Sequence, residues 1–368
     1  MSTKKDKFSI KDKFFMDLAL DLARSREGLT GTNPSVGCVI VKQDKIISVG
    51  QTSLKGRPHA EVNALNNSVE DLNDATMYVT LEPCSHYGLT PPCTNSIIRS
   101  KLKEVIYSVT DIDQRVKGKT YKILKSKKIK VRTGLLKEKV KQFYFPYFFN
   151  RQKKLPYVSG KIAISKNNLI YSKNNKKITN IKSDKFTHFL RYKNDSILIS
   201  YKTLNKDNPK LNCRLKGLEK FSPKRIILDN KLKTNTKSYL FKTANKENTI
   251  FFYNEAVKSK ILEFKKNKIT VLRSKINYNK KFNPSTIFKK LYTLGCRNIL
   301  VEGGDELTKN FTKNKIFNQF FLFKSSKNLS KSFEFKVFSG LKILQKNYKK
   351  RLKIHSNFGK DTITLYKN

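Results

Sequence analysis

The residue types able to do chemistry gather between Arg57 and Cys93, in the run RPHAEVNALNNSVEDLNDATMYVTLEPCSHYGLTPPC. His59 is followed two positions on by Glu61. Pro83-Cys84 is followed, nine positions after the cysteine, by Cys93, itself behind Pro91-Pro92. One imidazole and two thiolates are three of zinc's four ligands, which leaves the fourth position for water. On a helix starting near His59, Glu61 faces that water and is placed to carry its protons. The expected chemistry is hydrolysis by a metal-activated water. The alternative is two structural cysteines and a core histidine, but the chain has only 4 histidines, and one stands beside Glu61 upstream of PC…PPC.

These groups need a scaffold, and the surrounding patterns supply one. Residues 8–28 place Phe14, Phe15, Leu18, Ala19, Leu22 and Ala23 at helical spacing. After the turn Thr30-Gly31-Thr32-Asn33-Pro34, residues 36–41 and 46–50 read as short strands. Residues 59–67 are the metal-bearing helix, and 76–81 a strand delivering Glu82-Pro83-Cys84. Cys93 opens a helix over 94–100, whose unpaired N–H groups and dipole favour a thiolate. A strand at 104–109, a helix at 121–129 and a strand at 129–133 follow. This alternation, with the site at strand ends, predicts a three-layer α/β/α domain. Residues 136–149 read as a helix ending in the aromatic run 143–149. Its two readings are a stacking surface for bases and packing at a domain interface, the commoner fate of apolar clusters. Residues 151–155 are the expected linker between a first domain, 1–150, and a second, 151–368.

The second domain opens with YVSGKIAIS at 157–165. A helix is expected at 184–192, then strands at 196–200, 225–229, 249–253 and 269–272. A helix at 287–294 and a strand at 298–301 lead into Glu302-Gly303-Gly304-Asp305, before a helix at 306–311. Small residues there let backbone N–H groups approach a phosphate, and a tight structural turn has the same pattern. The C-terminal segment carries strand-like pieces without readable chemistry.

At 368 residues the chain fits about two domains of ~150 residues. It has no apolar run of about 18 residues that would span a membrane. Its charged N-terminus lacks the apolar core of a secretory signal. Of 5 cysteines, Cys38, Cys213 and Cys296 have no framework spacing, which predicts a reducing cytoplasm. The net charge of +50 is spread along the chain and accompanied by abundant Asn, Ile, Phe and Tyr. These residues share A/T-rich codons with Lys, so the charge reads as compositional drift rather than as a nucleic-acid footprint.

The H-x-E…P-C…C pattern resembles that of the zinc-dependent deaminases. Eight residues separate the cysteines here, wider than the usual P-C-x-x-C. The wide loop, EPCSHYGLTPPC, resembles the EPCSHxGxTPPC loop of the bifunctional deaminase/reductase family of riboflavin biosynthesis. TNPSVGCVIV is similar to the same deaminase half. In the second half, LRYKNDSILISYKTLNKDNPKLNCR resembles the family's LRxxxDAILVGxxTVxxDxPxLxxR, and ILVEGGDEL its VEGGxxL cofactor loop. The resemblance covers nearly the whole chain.

It implies an α/β protein: a cytidine-deaminase-like three-layer domain followed by a dihydrofolate-reductase-like domain. One zinc per chain would be held by His59, Cys84 and Cys93, with Glu61 catalytic and Asn33 bonding the pyrimidine, unless Asn33 is only a turn residue before Pro34. The substrate would be the diaminopyrimidinone ribosyl phosphate. NADPH would then reduce the opened ribosyl group to ribityl. Its contacts would be Ala163, Lys177, Thr203, Asp207, Gly303, Gly304 and Asp305. Substrate contacts would be Arg191, Leu211, Arg214 and Glu302. The two arginines suit a phosphate, or are ordinary solvated cations. Beyond this small molecule the expected partners are copies of the chain itself, with no specific nucleic acid and no membrane.

Several positions depart from the family. Leu89 stands where a basic residue precedes Thr, and Thr52 where a histidine is usual. Residues 111–119 replace DPNPxVxGxG. SLDG is Ser165-Lys166-Asn167-Asn168, and S-x-W-I-T is Asn175-Lys176-Lys177-Ile178-Thr179. VG-x-x-T is Ile199-Ser200-Tyr201-Lys202-Thr203. Two competing readings follow: a deaminase whose second domain has degenerated, and a base deaminase on nucleic acid, whose binding would fall steeply with salt.

Overall fold

Strict alternation along three strands builds the first half of the molecule. Cys38 and Ile40, Met77 and Val79, and Val105 and Tyr107 point to one side of a sheet, while Val39, Val41, Tyr78 and Ile106 point to the other. Both faces are therefore apolar and both need helices. The computed structural model describes residues 8–172, 177–331 and 334–367. It divides into two compact units, Met1–Lys153 and Lys154–Asn368. Residues 1–7 of the N-terminus and the departures at Asn175 and Lys176 lie outside the described residues.

The first unit runs α1 (Ile10–Ser25), β1 (Gly37–Lys42), β2 (Lys45–Gln51), α2 (Ala60–Asn67), β3 (Thr76–Leu81), α3 (Cys93–Arg99), β4 (Glu104–Val109), α4 (Lys119–Ser126), β5 (Lys130–Thr133), α5 (Lys137–Phe143) and α6 (Phe145–Lys153). Its sheet has the order β2-β1-β3-β4-β5. The β1 strand is antiparallel to both neighbours, and β3, β4 and β5 are parallel. Phe15, Met16 and Ala19 of α1 cover one face; Ala60, Ala64, Ile97 and Leu124 of α2, α3 and α4 cover the other. This is the expected three-layer arrangement.

The helix expected over 136–149 is two helices. Pro146 has no N–H to bond the carbonyl of residue 142, so the chain breaks at Tyr144 and restarts. Tyr144 is buried in the first unit's own core. Its hydroxyl donates to Ser35 O at 2.9 Å and sits 2.6 Å from Thr80 Oγ1. Phe143, Tyr147 and Phe148 pack on the same core. Four residues of the aromatic run, Phe143, Tyr144, Tyr147 and Phe148, thus serve the first unit's own core, and the expected linker begins as the last turn of α6.

One glycine fixes the seat of α2. A Cβ at Gly50 on β2 would run into the backbone of Ala60 and Ala64. Overpacking of a tight core costs about 1–3 kcal/mol, and here the clash is with helix backbone that must move. We expect Gly50→Ala to lower stability by about 3 kcal/mol and to loosen the helix that carries Glu61. A urea denaturation midpoint unchanged from wild type would refute this.

The second unit runs β6 (Tyr157–Ile164), β7 (Leu169–Ser172), α7 (Ile181–Lys193), β8 (Ser196–Ser200), α8 (Tyr201–Asp207), β9 (Lys224–Leu228), α9 (Tyr239–Lys242), β10 (Thr249–Tyr253), α10 (Lys258–Lys266), β11 (Thr270–Arg273), α11 (Pro284–Thr293), β12 (Asn298–Val301), α12 (Asp305–Lys313), β13 (Gln319–Lys324), β14 (Phe335–Val337), α13 (Leu341–Asn347), β15 (Lys350–Lys353) and β16 (Thr362–Lys367). Its nine-stranded sheet has the order β11-β10-β9-β8-β12-β6-β13-β16-β15. The strands from β11 to β13 are parallel, and β16 and β15 finish the sheet antiparallel. Phe288 of α11, Phe311 of α12 and Leu344 of α13 cover one face. Leu204 of α8, Phe241 of α9 and Phe264 of α10 cover part of the other.

Candidate active site

Two helix starts and one strand end converge on the predicted ligands. His59 is the residue before the first turn of α2. Cys84 follows β3, and Cys93 is the first residue of α3. The Cys93 N–H donates to Cys84 Sγ at 3.2 Å, so the loop closes on itself across the cysteines. His59 Nδ1 lies 3.3 Å from Cys93 Sγ and 3.5 Å from Cys84 Sγ. The three donor atoms all lie within 4.8 Å of one another. A tetrahedral zinc with bonds of about 2.0–2.3 Å has ligand–ligand edges of about 3.5 Å, so the donor set and its spacing fit that ion.

Glu61 sits in the first turn of α2 and is 3% exposed. Burial pushes its carboxyl up to about 7, against the pull of His59. A divalent cation beside it would favour the carboxylate again. The Cys84 thiol is held down to about 4, first by hydrogen bonding with Cys93 and then, against burial, by His59. This pair therefore already favours a thiolate before any metal is considered.

His59 and Cys84 line a cavity of about 350 Å³ that also has Asn33, Arg57, Glu61, His86, Tyr147 and Arg151 in its wall, and Cys93 is buried behind them. Asn33 donates through Nδ2 to Gly56 O at 3.0 Å, so it supports a turn and lines the cavity at once. Glu82 is not a free acid. It accepts from the backbone N–H groups of Asp111, Gly118 and Thr120 and ties β3 to the 111–120 loop. Thr52 is buried and its hydroxyl accepts from Val36 N at 2.9 Å. Leu89 is 90% exposed at the rim.

In the second unit the structure gathers some predicted contacts and separates others. Arg191 and Glu302, 111 residues apart, form a two-pronged ion pair: Nε to Oε1 at 2.7 Å and Nη2 to Oε2 at 2.9 Å. Arg191 Nη1 also donates to Asn212 O at 3.1 Å. Thr203 and Gly304 are neighbours, since a Cβ at Gly304 would lie 3.5 Å from Thr203 Oγ1. Asp305 accepts from the N–H and hydroxyl of Ser339, both at 2.7 Å. Leu211 is buried in a left-handed conformation, and Arg214 is exposed with Nη1 on Asn212 Oδ1 at 3.1 Å. Ala163 is half-buried opposite Phe323 on β13. Asp207 is exposed at the end of α8. Lys177 is exposed and 3.5 Å from Asp184.

Sequence reasoning passed over Arg57 and His86 in the cavity wall. It also passed over Lys161 on β6, whose ammonium lies 4.8 Å from the Phe323 ring and is held down by burial against the pull of Glu302. The available signal was a lone lysine inside an apolar strand.

Residues 9–109 match the cytidine and deoxycytidylate deaminase zinc-binding region, and residues 169–364 match the RibD C-terminal domain. The riboflavin biosynthesis protein RibD of Aquifex aeolicus is 34% identical over 97% of this chain and 98% of its own length. A diaminohydroxyphosphoribosylamino-pyrimidine deaminase of Buchnera aphidicola is 44% identical over 39% of this chain and 97% of its own. A solved deaminase/reductase from Thermotoga maritima superposes with a TM-score of 0.79 at 28% identity, covering 97% of this chain and 98% of that one. With a cytidine-deaminase-like first half and a reductase second half, this chain belongs to the RibD family, bifunctional enzymes of riboflavin biosynthesis.

Proposed function

We propose that this chain deaminates the diaminopyrimidinone ribosyl phosphate in its first unit and, in its second, reduces the resulting aminouracil ribosyl phosphate with NADPH. The observation that carries the reading is the His59, Cys84 and Cys93 set, of which His59 and Cys84 line a cavity of about 350 Å³ together with the buried Glu61. These three residues would hold zinc, which would supply the Lewis acidity that makes a water nucleophilic near pH 7. Glu61 would take one proton from the attacking water on its carboxylate and pass it to a pyrimidine ring nitrogen, then carry the second, from the added hydroxyl, to the departing amine. Water oxygen replaces the amine on the ring carbon, and ammonia leaves. Asn33, in the wall of the same cavity, is placed to hydrogen-bond the base.

The second unit would hold NADPH, which would supply the hydride for the opened ribosyl carbon, with a proton completing the ribityl group. Gly303, Gly304 and Asp305 stand at the start of α12, with Thr203 of α8 beside Gly304, where backbone N–H groups favour a phosphate of the cofactor. Ala163, Lys177 and Asp207 are assigned to the cofactor, and Leu211 and Glu302 to the substrate, on family resemblance. Arg191 is already matched by Glu302, so exposed Arg214 is the more available cation for the substrate phosphate. The five cysteines are unpaired, which suits the reducing cytoplasm, and a homo-oligomer is the assembly we assign.

The test is turnover of purified, zinc-loaded chain with and without NADPH, with products identified by mass spectrometry. Deaminated product alone, and ribityl product only when NADPH is added, is the expected result. Deaminated product that accumulates despite NADPH would remove the reductase assignment. No product at all would remove both.

A further inference from the structure

We infer that Arg57 is the anchor for the substrate's phosphate in the deaminase cavity, which rests on the deaminase reading above. A ribosyl phosphate brings a dianion into this cavity, and a dianion needs cationic donors. Neither position expected to provide one does so: Leu89 is apolar and solvent-facing, and the Thr52 hydroxyl is engaged with Val36 N and Pro34 O.

Three arginines line the cavity, and their circumstances differ. Arg115 is spent on Asp113, through Nε at 3.0 Å and Nη2 at 2.6 Å. Arg151 stacks on Tyr147, 5.4 Å from the ring centroid. Arg57 makes no hydrogen bond or ion pair among the described residues, although its Nε and Nη1 are shut away from solvent. A buried charged donor without a partner is costly, and a fold keeps one where a ligand completes it. His86 Nδ1, in the same wall, is also buried and unpartnered. The two side chains converge at Gly88, where an added Cβ would lie 3.7 Å from Arg57 Nη2 and 3.9 Å from His86 Nε2.

Arg57 Nη2, the guanidinium nitrogen that faces Gly88, is the donor an incoming phosphate oxygen meets, a charge-assisted contact backed by the full charge of the group. The base would then reach inward towards Glu61 and Asn33 while the phosphate stays under the 84–93 loop. Arg57 would act as a specificity residue that binds substrate without touching the reacting carbon.

The test uses zinc-loaded full-length chain and two substrates, the ribosyl phosphate and its dephosphorylated riboside. Arg57→Met should raise KM for the phosphorylated substrate about 30-fold, with kcat within about threefold, since charge-assisted pairs are the strong ones. Its KM for the riboside should not change. Arg57→Lys, which keeps the charge but not the fork, should recover part of the loss. Binding of ribose 5-phosphate, followed by calorimetry, should lose one equivalent in Arg57→Met. Equal loss on both substrates would mean a structural role and overturn the inference, as would a wild-type chain that turns over the riboside as well as the phosphate. If the wild type deaminates neither compound, calorimetry still decides: loss of the equivalent keeps Arg57 as an anion site while the substrate reading falls, and no loss removes the inference itself.

Discussion

Glu61→Gln lowers deamination by about 10²–10⁴-fold while metal content and reduction of separately supplied aminouracil ribosyl phosphate stay at wild-type levels. Glutamine keeps the length and hydrogen-bonding shape of the side chain, so the seat of α2 is preserved. It cannot accept and release a proton, which is the whole of what Glu61 is asked to do. The side chain is 3% exposed and stands two residues from His59 in the first turn of α2, where no solvent base substitutes easily for it. His59, Cys84 and Cys93 are untouched, so metal analysis separates a lost ligand set from a lost proton carrier. Deamination within tenfold of wild type would show that another group moves the proton. The cavity offers few candidates, because Glu82 is committed to three backbone N–H groups and Asp111 accepts from Asp113 N.

The His59, Cys84 and Cys93 cluster was legible because metal-binding chemistry restricts its residue types to a few and local structure restricts their spacing. Strands such as Thr76–Leu81, Glu104–Val109 and Ser196–Ser200 were legible at their ends for a related reason. A strand buried on both faces is a near-continuous apolar run, and its borders are abrupt. The same logic explains the omissions. In α10 only Phe264 is buried among lysines, and β15 is exposed along its length, so neither writes a hydrophobic period into the sequence. Arg57 was in view throughout, two positions before His59. What distinguishes it is the absence of a partner among residues brought close by the fold, and no local pattern records that. The pairing of Arg191 with Glu302 is equally nonlocal. Resemblance assigned both to substrate, and only the fold shows that each is the other's first contact.

That pair carries the largest expected effect on stability. The Arg191 and Glu302 side chains are 10% and 14% exposed, and their two parallel hydrogen bonds join α7 to the end of β12. Burial alone would push the Glu302 carboxyl up. Arg191 outweighs it and holds the group down to about 2, from an ordinary 4.5. A depressed carboxyl contributes stability that is complete above about pH 4.5 and is lost as pH falls towards 2. Arg191→Met removes the cation and leaves the carboxylate buried, which should destabilise the protein by about 3–5 kcal/mol at neutral pH. The deficit should shrink as pH falls from neutral, first because burial, no longer opposed by Arg191, lets the variant protonate Glu302 above pH 4.5, and below that because the wild type begins to lose its pair. Adding Glu302→Gln to Arg191→Met should recover most of the loss at neutral pH, since no charge then remains to be matched. Urea denaturation of the four proteins at pH 7 and pH 3.5 measures all of this. A deficit that is the same at both pH values would mean that Arg191 stabilises by packing and not by its charge.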